Sequence, residues 1–305
     1  MSANESTETE STSGYDVVIV GGGPAGCSAG VFTARAGLDT VIFDRGRSSL
    51  RQCAHLENYL GFPGGIDIET FYNLIHAHAE TAGCDIVSDL VESVTRTADE
   101  GFIVETQEDR TLQTERVVAA TRYGSDYLKP LDDGDEMFET HDHGGEEHEH
   151  FDRTYADSDG RTPVDGLYIA SPLEEVSHQA ITVAGHGALV GRHVTGDVRR
   201  DEGYWDEIAE RVDWVRQERA RDEEWGTRDR WREYFENHVP DDHGLSDDEL
   251  VALREAEVDD RLDAYITDDE TDRRKQQAHD QILEHLDTDR IRAYLDRVDA
   301  DTEAL

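Results

Sequence analysis

The residues with the clearest chemical use are three closely spaced glycines, Gly21, Gly23 and Gly26. In this GxGxxG spacing the first glycine allows a sharp turn, the second lets a pyrophosphate approach the backbone, and the third lets a helix pack closely. Pro24 suits the first turn of that helix. A phosphate there would be held by backbone N–H groups and by the positive end of the helix dipole. The pattern therefore predicts a nucleotide pyrophosphate site that needs no basic side chain.

A carboxylate follows the glycines at the distance that nucleotide recognition requires. Asp44 stands 18 residues after Gly26, at the end of a short apolar run over residues 40–43. An acidic side chain at this position accepts hydrogen bonds from ribose hydroxyls. The combination favours dinucleotide binding, now or ancestrally. The alternative is a structural turn of the same shape that binds nothing.

These groups have to be positioned by a strand, a helix and a second strand. Residues 17–20 are β-branched and apolar throughout, which predicts a parallel strand covered on both faces. The helix after the glycines is predicted to end near Gly37, and residues 40–43 form the second strand. Further along, periodicity predicts a helix over residues 68–82 and strands over residues 85–87, 91–95, 102–106 and 112–121.

The charge balance limits the classes of partner. The chain of 305 residues has 71 acidic and 29 basic residues, a net charge of −42, and only two lysines, Lys129 and Lys275. Phosphates would be repelled, which argues against nucleic acid and against an anionic membrane as partners. Abundant Asp and Glu with little Lys is typical of a cytoplasm rich in salt, where screening suppresses self-repulsion. The composition therefore indicates a halophile.

Cysteine usage and the N-terminus indicate a cytoplasmic protein. Cys27, Cys53 and Cys84 are odd in number and widely spaced, so they form neither a disulfide framework nor a CxxC redox pair. Residues 1–13 lack the apolar core of a signal peptide, and no run reaches the length of a membrane span. Arg51 close to Cys53 could favour a reactive thiolate, although a single loop cysteine is more often inert.

Four segments, taken in chain order, resemble the thioredoxin reductase-like flavoproteins. They are GGGPAG at residues 21–26, ENYLGFPGGI at residues 57–66, VVAAT at residues 117–121, and DGLYIASPLEEVSHQAITVAGHGALVG at residues 165–191. The first is shared by many dinucleotide-binding folds, whereas the second and the HQAITVAGHGA helix are more specific to this family. The resemblance implies an α/β fold with a Rossmann-like FAD-binding domain, made of a parallel sheet plus a β-meander, and then an acidic α-helical C-terminal region.

The resemblance also implies FAD as the cofactor and assigns its contacts by position. The glycine turn would face the pyrophosphate, and Asp44 or its neighbour Arg45 the adenosine ribose. Asn58 would lie along the cofactor, and Gln179 and Ala180 would meet the isoalloxazine end. The cofactor-binding set implied in this way is Gly21, Gly23, Pro24, Ala25, Gly26, Asp44, Arg45, Asn58, Thr121, Gln179 and Ala180.

Three departures from the family change the expected function. Residues 122–163 are too few for the family's nicotinamide-binding domain and contain no second GxGxxG and no CxxC. The family's Ala-Thr-Gly turn ends here in Arg122, and its late Gly-Asp pair, whose carboxylate holds the ribityl chain, falls on Ser171 and Pro172. We therefore expect an FAD-binding oxidoreductase whose hydride donor and acceptor come from outside this chain. NAD(P)H would be a transient donor, and disulfide reductase activity is not expected.

Other functions stay open. One is a redox-inactive nucleotide-binding or assembly module that keeps the fold. Another uses residues 141–150, where four histidines and four carboxylates could ligate a divalent metal. Such a run in a flexible loop is more often solvated polar sequence, so no metal site is assigned. The same loop could instead lie over the flavin edge, where a histidine could donate a proton.

The predicted organisation has four parts: a disordered polar N-terminus at 1–14, an FAD/NAD(P)-binding domain at 15–122 and 164–197, a histidine-rich acidic insert at 123–163, and an acidic helical region at 198–305. Ser246 with Glu249 predicts a capping box there, and Thr288 a cap for the last helix. Two apolar stripes predict amphipathic helices: Trp205, Ile208, Val212 and Val215, and then Trp231, Tyr234 and Phe235. Such helices would pack on the sheet domain or on another copy of the chain, so a homodimer and a redox partner protein are both compatible with the sequence.

Overall fold

The computed structural model describes residues 14–46, 48–98, 101–143, 146–173, 176, 179–212, 215–218 and 224–303. The chain divides into two compact units. The first consists of residues 1–54, 58–63 and 75–195, and the second of residues 55–57, 64–74 and 196–305. The N-terminus that was predicted to be disordered lies outside the described residues except for Gly14.

The described part of the first unit is built on a mainly parallel sheet. Its strands are β1 Tyr15–Val20, β2 Thr40–Phe43, β3 Asp85–Val87, β4 Val91–Arg96, β5 Phe102–Thr106, β6 Thr111–Ala120, β7 Phe138–His143, β8 Glu146–Phe151 and β9 Leu167–Ser171. Seven of them form one sheet in the order β3-β2-β1-β6-β5-β4, with β9 also paired to β6. The strands β1, β2, β3, β6 and β9 pair in parallel, whereas β4, β5 and β6 form an antiparallel meander. This arrangement confirms the predicted Rossmann-like sheet with a β-meander.

Both faces of the central strand β1 are buried. Val18 joins one apolar cluster and Val17 joins another, as alternation along a strand requires. The helices up to residue 201 are α1 Pro24–Arg35, α2 Ile68–Ala82 and α3 Ala180–Asp201. Ala29 of α1 and Val190 of α3 belong to the same cluster as Val17. Burial on both faces explains why residues 17–20 are apolar without interruption.

Element boundaries predicted from strict periodicity agree with the structure. The bounds of α2, β3 and β5 are those predicted, and α1 ends at Arg35, just before Gly37 with its φ of +87°. The strand β1 begins two residues earlier than residue 17, because Tyr15 pairs with Thr114 of β6. Pairing with a neighbouring strand extends β1 beyond what its own pattern indicates.

The prediction that the histidine-rich run is a flexible loop was wrong. Residues 138–143 and 146–151 form the paired antiparallel strands β7 and β8 of a hairpin. Phe138 pairs with Phe151 across it, with ring centroids 5.9 Å apart in an edge-to-face arrangement. Phe151 is buried together with Met137. Phe138 and Phe151, one at the base of each strand, pack in the apolar cluster that contains Met137. The strand pattern was missed because histidines and carboxylates occupy most of the other positions.

The second unit is mainly helical. It contains α4 Asp206–Ala209, α5 Arg228–Glu236, α6 Asp247–Asp263, α7 Asp268–Glu284 and α8 Thr288–Glu303, with the paired strands β10 Gln217–Glu218 and β11 Tyr265–Ile266. Trp231 and Phe235 of α5 are buried, as their spacing predicted. Ser246 and Glu249 form the predicted capping box of α6.

Two predictions for this unit were wrong. The stripe from Trp205 to Val215 does not mark one helix, because α4 ends at Ala209 and Val215 is 69% exposed. A single turn suffices to bury Ile208 against Phe235. The last helix is capped by Asp287 rather than Thr288, since the Asp287 carboxylate accepts the N–H of Arg290 at 2.8 Å.

A buried carboxylate makes the stability of the first unit sensitive to acid. The Asp89 side chain is 1% exposed and accepts hydrogen bonds from Arg110 Nη1 at 2.5 Å and from the Leu90 N–H at 2.7 Å. Burial raises the pKa of Asp89, but hydrogen bonds from Thr106, Leu90 and Arg110 together hold it below its ordinary value. The folded state therefore binds this proton less readily than the unfolded chain does. The resulting stabilisation is complete above the unfolded-state pKa and is lost as pH falls through the folded-state pKa.

We expect the stability advantage of the wild type over Asp89→Asn to shrink once the pH falls below about 4, the ordinary pKa of an aspartate. Thermal melting of both proteins between pH 7 and pH 3, at constant KCl, measures this difference. Asp133→Asn on the exposed surface is the control. A wild-type advantage that stays constant down to pH 3 would show that titration of Asp89 contributes nothing.

Candidate functional site

The glycine turn after β1 requires glycine at its first position. Gly21 has φ +117°, a conformation that side chains disfavour. A Cβ there would lie 2.6 Å from the carbonyl oxygen of Ala120. The Gly21 N–H donates to the Phe43 carbonyl at 2.9 Å, which fixes the turn over the ends of β2 and β6. The sharp exit from β1 predicted from the spacing is present.

The third glycine lets α1 pack directly on this turn. A Cβ on Gly26 would lie 1.8 Å from the Gly21 carbonyl oxygen, so no side chain fits. Gly23 is the N-cap of α1 and Pro24 its first residue, and the first turn of the helix holds no acidic residue and no side-chain cap. Ala25 is buried directly behind them. The helix N-terminus thus presents N–H groups and a positive dipole end to an anion without competition from its own side chains.

The helix α3 packs against α1 through small residues. A Cβ on Gly187 would lie 2.1 Å from the Ala25 carbonyl oxygen, and one on Gly191 would lie 2.6 Å from that of Ala29. Two helices can approach this closely only where the side chains are absent. Gly187 and Gly191 therefore let α3 lie directly against α1, the helix whose N-terminus is the candidate anion site.

Asp44 lies at the end of β2, where the sequence predicted a ribose-binding carboxylate. Its Oδ1 accepts the Gly46 N–H at 2.9 Å, and its side chain is 12% exposed. Its Oδ2 lies 3.5 Å from Nε2 of His76, which also bonds the Gly22 carbonyl at 2.8 Å. His76 was not singled out from the sequence. In the sequence it is one of many residues in the predicted helix over 68–82. Its titratable side chain was the one feature that could have marked it.

Asn58 and Gln179, assigned to different parts of the cofactor, meet in the structure. Asn58 Nδ2 donates to Gln179 Oε1 at 2.7 Å, although 121 residues separate them. Both side chains are exposed, whereas Ala180, which begins α3, is buried. The contact brings Asn58 to the N-terminus of α3.

Thr121 and Arg45 lie at the ends of β6 and β2. The Thr121 hydroxyl is 3.2 Å from the hydroxyl of Tyr127, and burial raises the pKa of that tyrosine. Arg45 is exposed, with its Nη2 3.7 Å from the position of a Cβ built on Gly124. Arg45 thus stays available at the surface, while Thr121 is engaged by a buried neighbour.

The position of the family's late Gly-Asp pair offers no carboxylate. Ser171, which ends β9, is buried, and Pro172 after it has no backbone N–H. The turn, the α1 N-terminus and Asp44 fit the pyrophosphate and ribose of a dinucleotide. The other end of such a ligand would lack the carboxylate that the family pattern supplies.

The three free cysteines differ in exposure. Cys27 and Cys84 are buried, and Cys53 alone is exposed. Burial, with the nearby Asp44 carboxylate, raises the pKa of Cys27, and burial with Asp85 raises that of Cys84 to about 12. Both thiols are therefore protonated at neutral pH. The reactivity considered for Cys53 stays a prediction.

The histidine-rich hairpin has three described imidazoles near one another. The His150 ring centroid is 6.0 Å from that of His141 and 6.4 Å from that of His148. Nε2 of His141 lies 2.9 Å from the Glu139 carboxylate. Among the described residues, no three His, Cys, Asp or Glu side chains are grouped so as to hold a metal ion. No described helix combines the length and hydrophobicity of a bilayer span.

Comparison with known proteins connects this turn and sheet to a family. The family model described as pyridine nucleotide-disulphide oxidoreductase matches residues 15–187. The chain is 32% identical to one of the subunits of alkyl hydroperoxide reductase from Staphylococcus aureus over 124 residues, which cover 40% of this chain and 24% of that protein. It is 36% identical to thioredoxin reductase of Aquifex aeolicus over 75 residues, 24% of this chain and 23% of that protein. The chain thus spans about a quarter of the length of these curated relatives.

A solved structure shares the fold. The thioredoxin reductase from Gloeobacter violaceus superposes with a TM-score of 0.50 and 17% sequence identity. The superposition covers 66% of this chain and 98% of that one. At this identity the likeness concerns the arrangement of strands and helices only.

Proposed function

The chain belongs to the pyridine nucleotide-disulphide oxidoreductase family, and from this premise we propose that it is a thioredoxin reductase-like FAD-binding oxidoreductase whose hydride donor and acceptor come from outside this chain. The observation that carries the proposal is the glycine turn. A Cβ on Gly26 would lie 1.8 Å from the Gly21 carbonyl oxygen, so the turn and the helix that begins there pack together with no room for a side chain. The helix N-terminus above them has no acidic residue to repel a phosphate.

Different residues of the site would contact different parts of FAD. The turn residues Gly21 and Gly23 would hold the pyrophosphate through backbone N–H groups, and Asp44 would accept the ribose hydroxyls. Asn58 and Gln179, already bonded to each other at 2.7 Å, would present amide groups near the isoalloxazine end together with Ala180. Bound FAD would supply hydride acceptance, which is cofactor chemistry rather than side-chain chemistry.

The proposal also specifies the hydride donor and the electron acceptor. Residues 122–163 hold the hairpin of β7 and β8 and no second GxGxxG, so NAD(P)H would bind as a transient donor without a domain of its own. A redox partner protein would take the electrons, and a homodimer is compatible with the helical region. The charge of −42 supports the proposal of a halophilic cytoplasm as the working environment.

The second candidate is a redox-inactive nucleotide-binding or assembly module. Ser171 and Pro172 favour it, because the family's carboxylate for the ribityl chain is missing while the pyrophosphate turn is intact. The two candidates differ in what the flavin half adds to binding. An oxidoreductase should bind FAD much more tightly than ADP and be yellow when purified. A module that contacts only the ADP part of the ligand should bind FAD and ADP with equal affinity.

Gly23→Val tests the proposed FAD site. Gly23 has φ −83° and ψ −173°, a conformation that valine adopts without strain, so the variant adds bulk where the pyrophosphate must approach and leaves the turn itself unstrained. We expect FAD affinity to fall at least about 100-fold, equivalent to about 2.7 kcal/mol. Equilibrium titration of the apoprotein with FAD, followed by flavin fluorescence in molar KCl, measures it.

The matched control is Gly185→Val on α3. A Cβ at Gly185 meets no atom within 4 Å, so this exposed glycine accepts a side chain. Its FAD affinity should equal that of the wild type. Unchanged flavin content in Gly23→Val would defeat the assignment of the glycine turn as the cofactor site.

A further inference from the structure

The middle residue of the glycine turn is enclosed by side chains from three different elements. The Gly22 carbonyl accepts a hydrogen bond from His76 Nε2 at 2.8 Å and one from the Cys27 thiol at 3.4 Å. A Cβ on Gly22 would lie 2.5 Å from Cβ of Asp44. The helix α2, the helix α1 and the end of β2 thus converge on one peptide group inside the predicted pyrophosphate turn.

His76 contacts both the turn and the carboxylate. Because the Gly22 oxygen is an acceptor only, the short contact at 2.8 Å requires the proton of His76 on Nε2. The same N–H faces Asp44 Oδ2 at 3.5 Å. The other oxygen of Asp44 accepts the Gly46 N–H at 2.9 Å. The carboxylate is therefore oriented at both ends, by a backbone group on one side and by the imidazole on the other.

We propose that His76 is a positioning residue of the nucleotide site. With its imidazole bonded to the Gly22 carbonyl, it holds the Asp44 carboxylate in the orientation that receives the adenosine half of the ligand. This inference rests on the proposed function, in which Asp44 binds the ribose. An orienting group that is in place before binding removes the need to order the carboxylate when the ligand arrives. The His76 side chain is only 22% exposed, so the contact is partly shielded from water.

The proposal makes His76 act through Asp44, which distinguishes it from a residue that merely fills space. His76→Leu removes the N–H that faces the Asp44 carboxylate at 3.5 Å and should weaken ADP and FAD binding about tenfold. His76→Gln places an amide N–H near the position of Nε2 and should restore most of the affinity. In an Asp44→Asn background, His76→Leu should have much less effect, because the carboxylate that it orients is already gone.

The experiment is a double-mutant cycle on the apoprotein with ADP and FAD as probes. Dissociation constants are measured by isothermal titration in molar KCl for the wild type, His76→Leu, His76→Gln, Asp44→Asn and the double variant His76→Leu/Asp44→Asn. His78→Leu, at an exposed position two residues along the same helix, is the control and should bind like the wild type. In parallel, the imidazole ¹⁵N shifts of the ligand-free protein report which nitrogen of His76 carries the proton.

Each outcome has a definite meaning. A tenfold loss that His76→Gln restores and that largely vanishes without Asp44 supports the positioning role. An equal loss in both backgrounds, or no rescue by glutamine, overturns it and leaves a structural histidine. A proton on Nδ1 rather than Nε2 contradicts the geometry independently of any ligand. Failure of the wild type to bind ADP or FAD, with His76 protonated on Nε2, would instead overturn the proposed function.

Discussion

Glu257→Leu is expected to lower the free energy of unfolding of the second unit by about 3–5 kcal/mol, the range found when one partner of a buried ion pair is removed. The Glu257 side chain is 3% exposed and lies between two arginines. Arg261 Nε donates to its Oε1 at 2.6 Å and Arg199 Nη2 to its Oε2 at 2.5 Å. Without the carboxylate, two largely buried guanidinium groups would lose their shared acceptor.

Both arginines also contact other groups. Arg261, 2% exposed, also donates to the Arg211 carbonyl at 3.1 Å, and Asp260 Oδ2 is 3.5 Å from Arg199 Nη1. Neither contact replaces a carboxylate that binds both guanidinium groups. Glu257→Gln keeps a hydrogen-bond acceptor but removes the charge. Its free energy of unfolding should therefore lie between that of the wild type and that of Glu257→Leu.

Glu255→Gln on the same helix is the matched control. Glu255 bonds Arg228, Arg232 and Arg254, more partners than Glu257 has. These hydrogen bonds hold the pKa of Glu255 well below its ordinary value. The cluster nevertheless lies at the surface, where water and salt screen it, so the change in stability should be small and should vanish in molar KCl. The loss in Glu257→Leu should persist there.

Denaturant unfolding followed by tryptophan fluorescence measures both variants. All four tryptophans of the chain lie within residues 205–231, so the signal reports the second unit. Equal destabilisation by Glu257→Leu and Glu255→Gln would mean that burial does not separate the two sites.

The sequence predicted the cap of α6 but not the different surroundings of these two glutamates. The capping box of α6 was predicted because Ser246 and Glu249 interact within one turn of chain. Glu255 and Glu257 stand in the same acidic stretch, and residue type alone does not tell them apart. The bond of Glu257 with Arg199, 58 residues away, has no signal in the local sequence.

The same distinction applies to the candidate site. The glycine turn and Asp44 were predictable because a strand, a turn and a helix within 30 residues impose each residue type. His76 reaches the turn from 54 residues away, and its contact depends on how α2 lies against β2. The pairing of Asn58 with Gln179 spans 121 residues, and only the family resemblance had assigned both residues to one cofactor. Long-range contacts of single polar residues leave no periodic pattern.

The purified protein, loaded with FAD, is expected not to reduce thioredoxin or a chromogenic aryl disulfide with NADPH at an enzyme-like rate. A disulfide reductase needs a dithiol that accepts electrons and passes them on. The chain has three cysteines, of which Cys27 and Cys84 are buried with raised pKa values. Cys53 is exposed and has no second thiol within a CxxC spacing. The two buried thiols are thus protonated at neutral pH, and the exposed thiol has no CxxC partner with which to pass on electrons.

Stopped-flow spectra at high salt separate the two halves of this prediction. Slow bleaching of the flavin by NADPH is expected, because a loosely bound donor can still reach an exposed ring without a nicotinamide domain. Disulfide reduction should stay at the rate of a Cys53→Ser variant, which controls for adventitious exchange at the one exposed thiol. A thioredoxin reductase that is active at the same salt concentration serves as the positive control. Rapid bleaching followed by stoichiometric disulfide reduction in the wild type would show that the chain has both a nicotinamide site and a thiol relay, since the buried Cys27 and Cys84 would then have to become accessible during turnover.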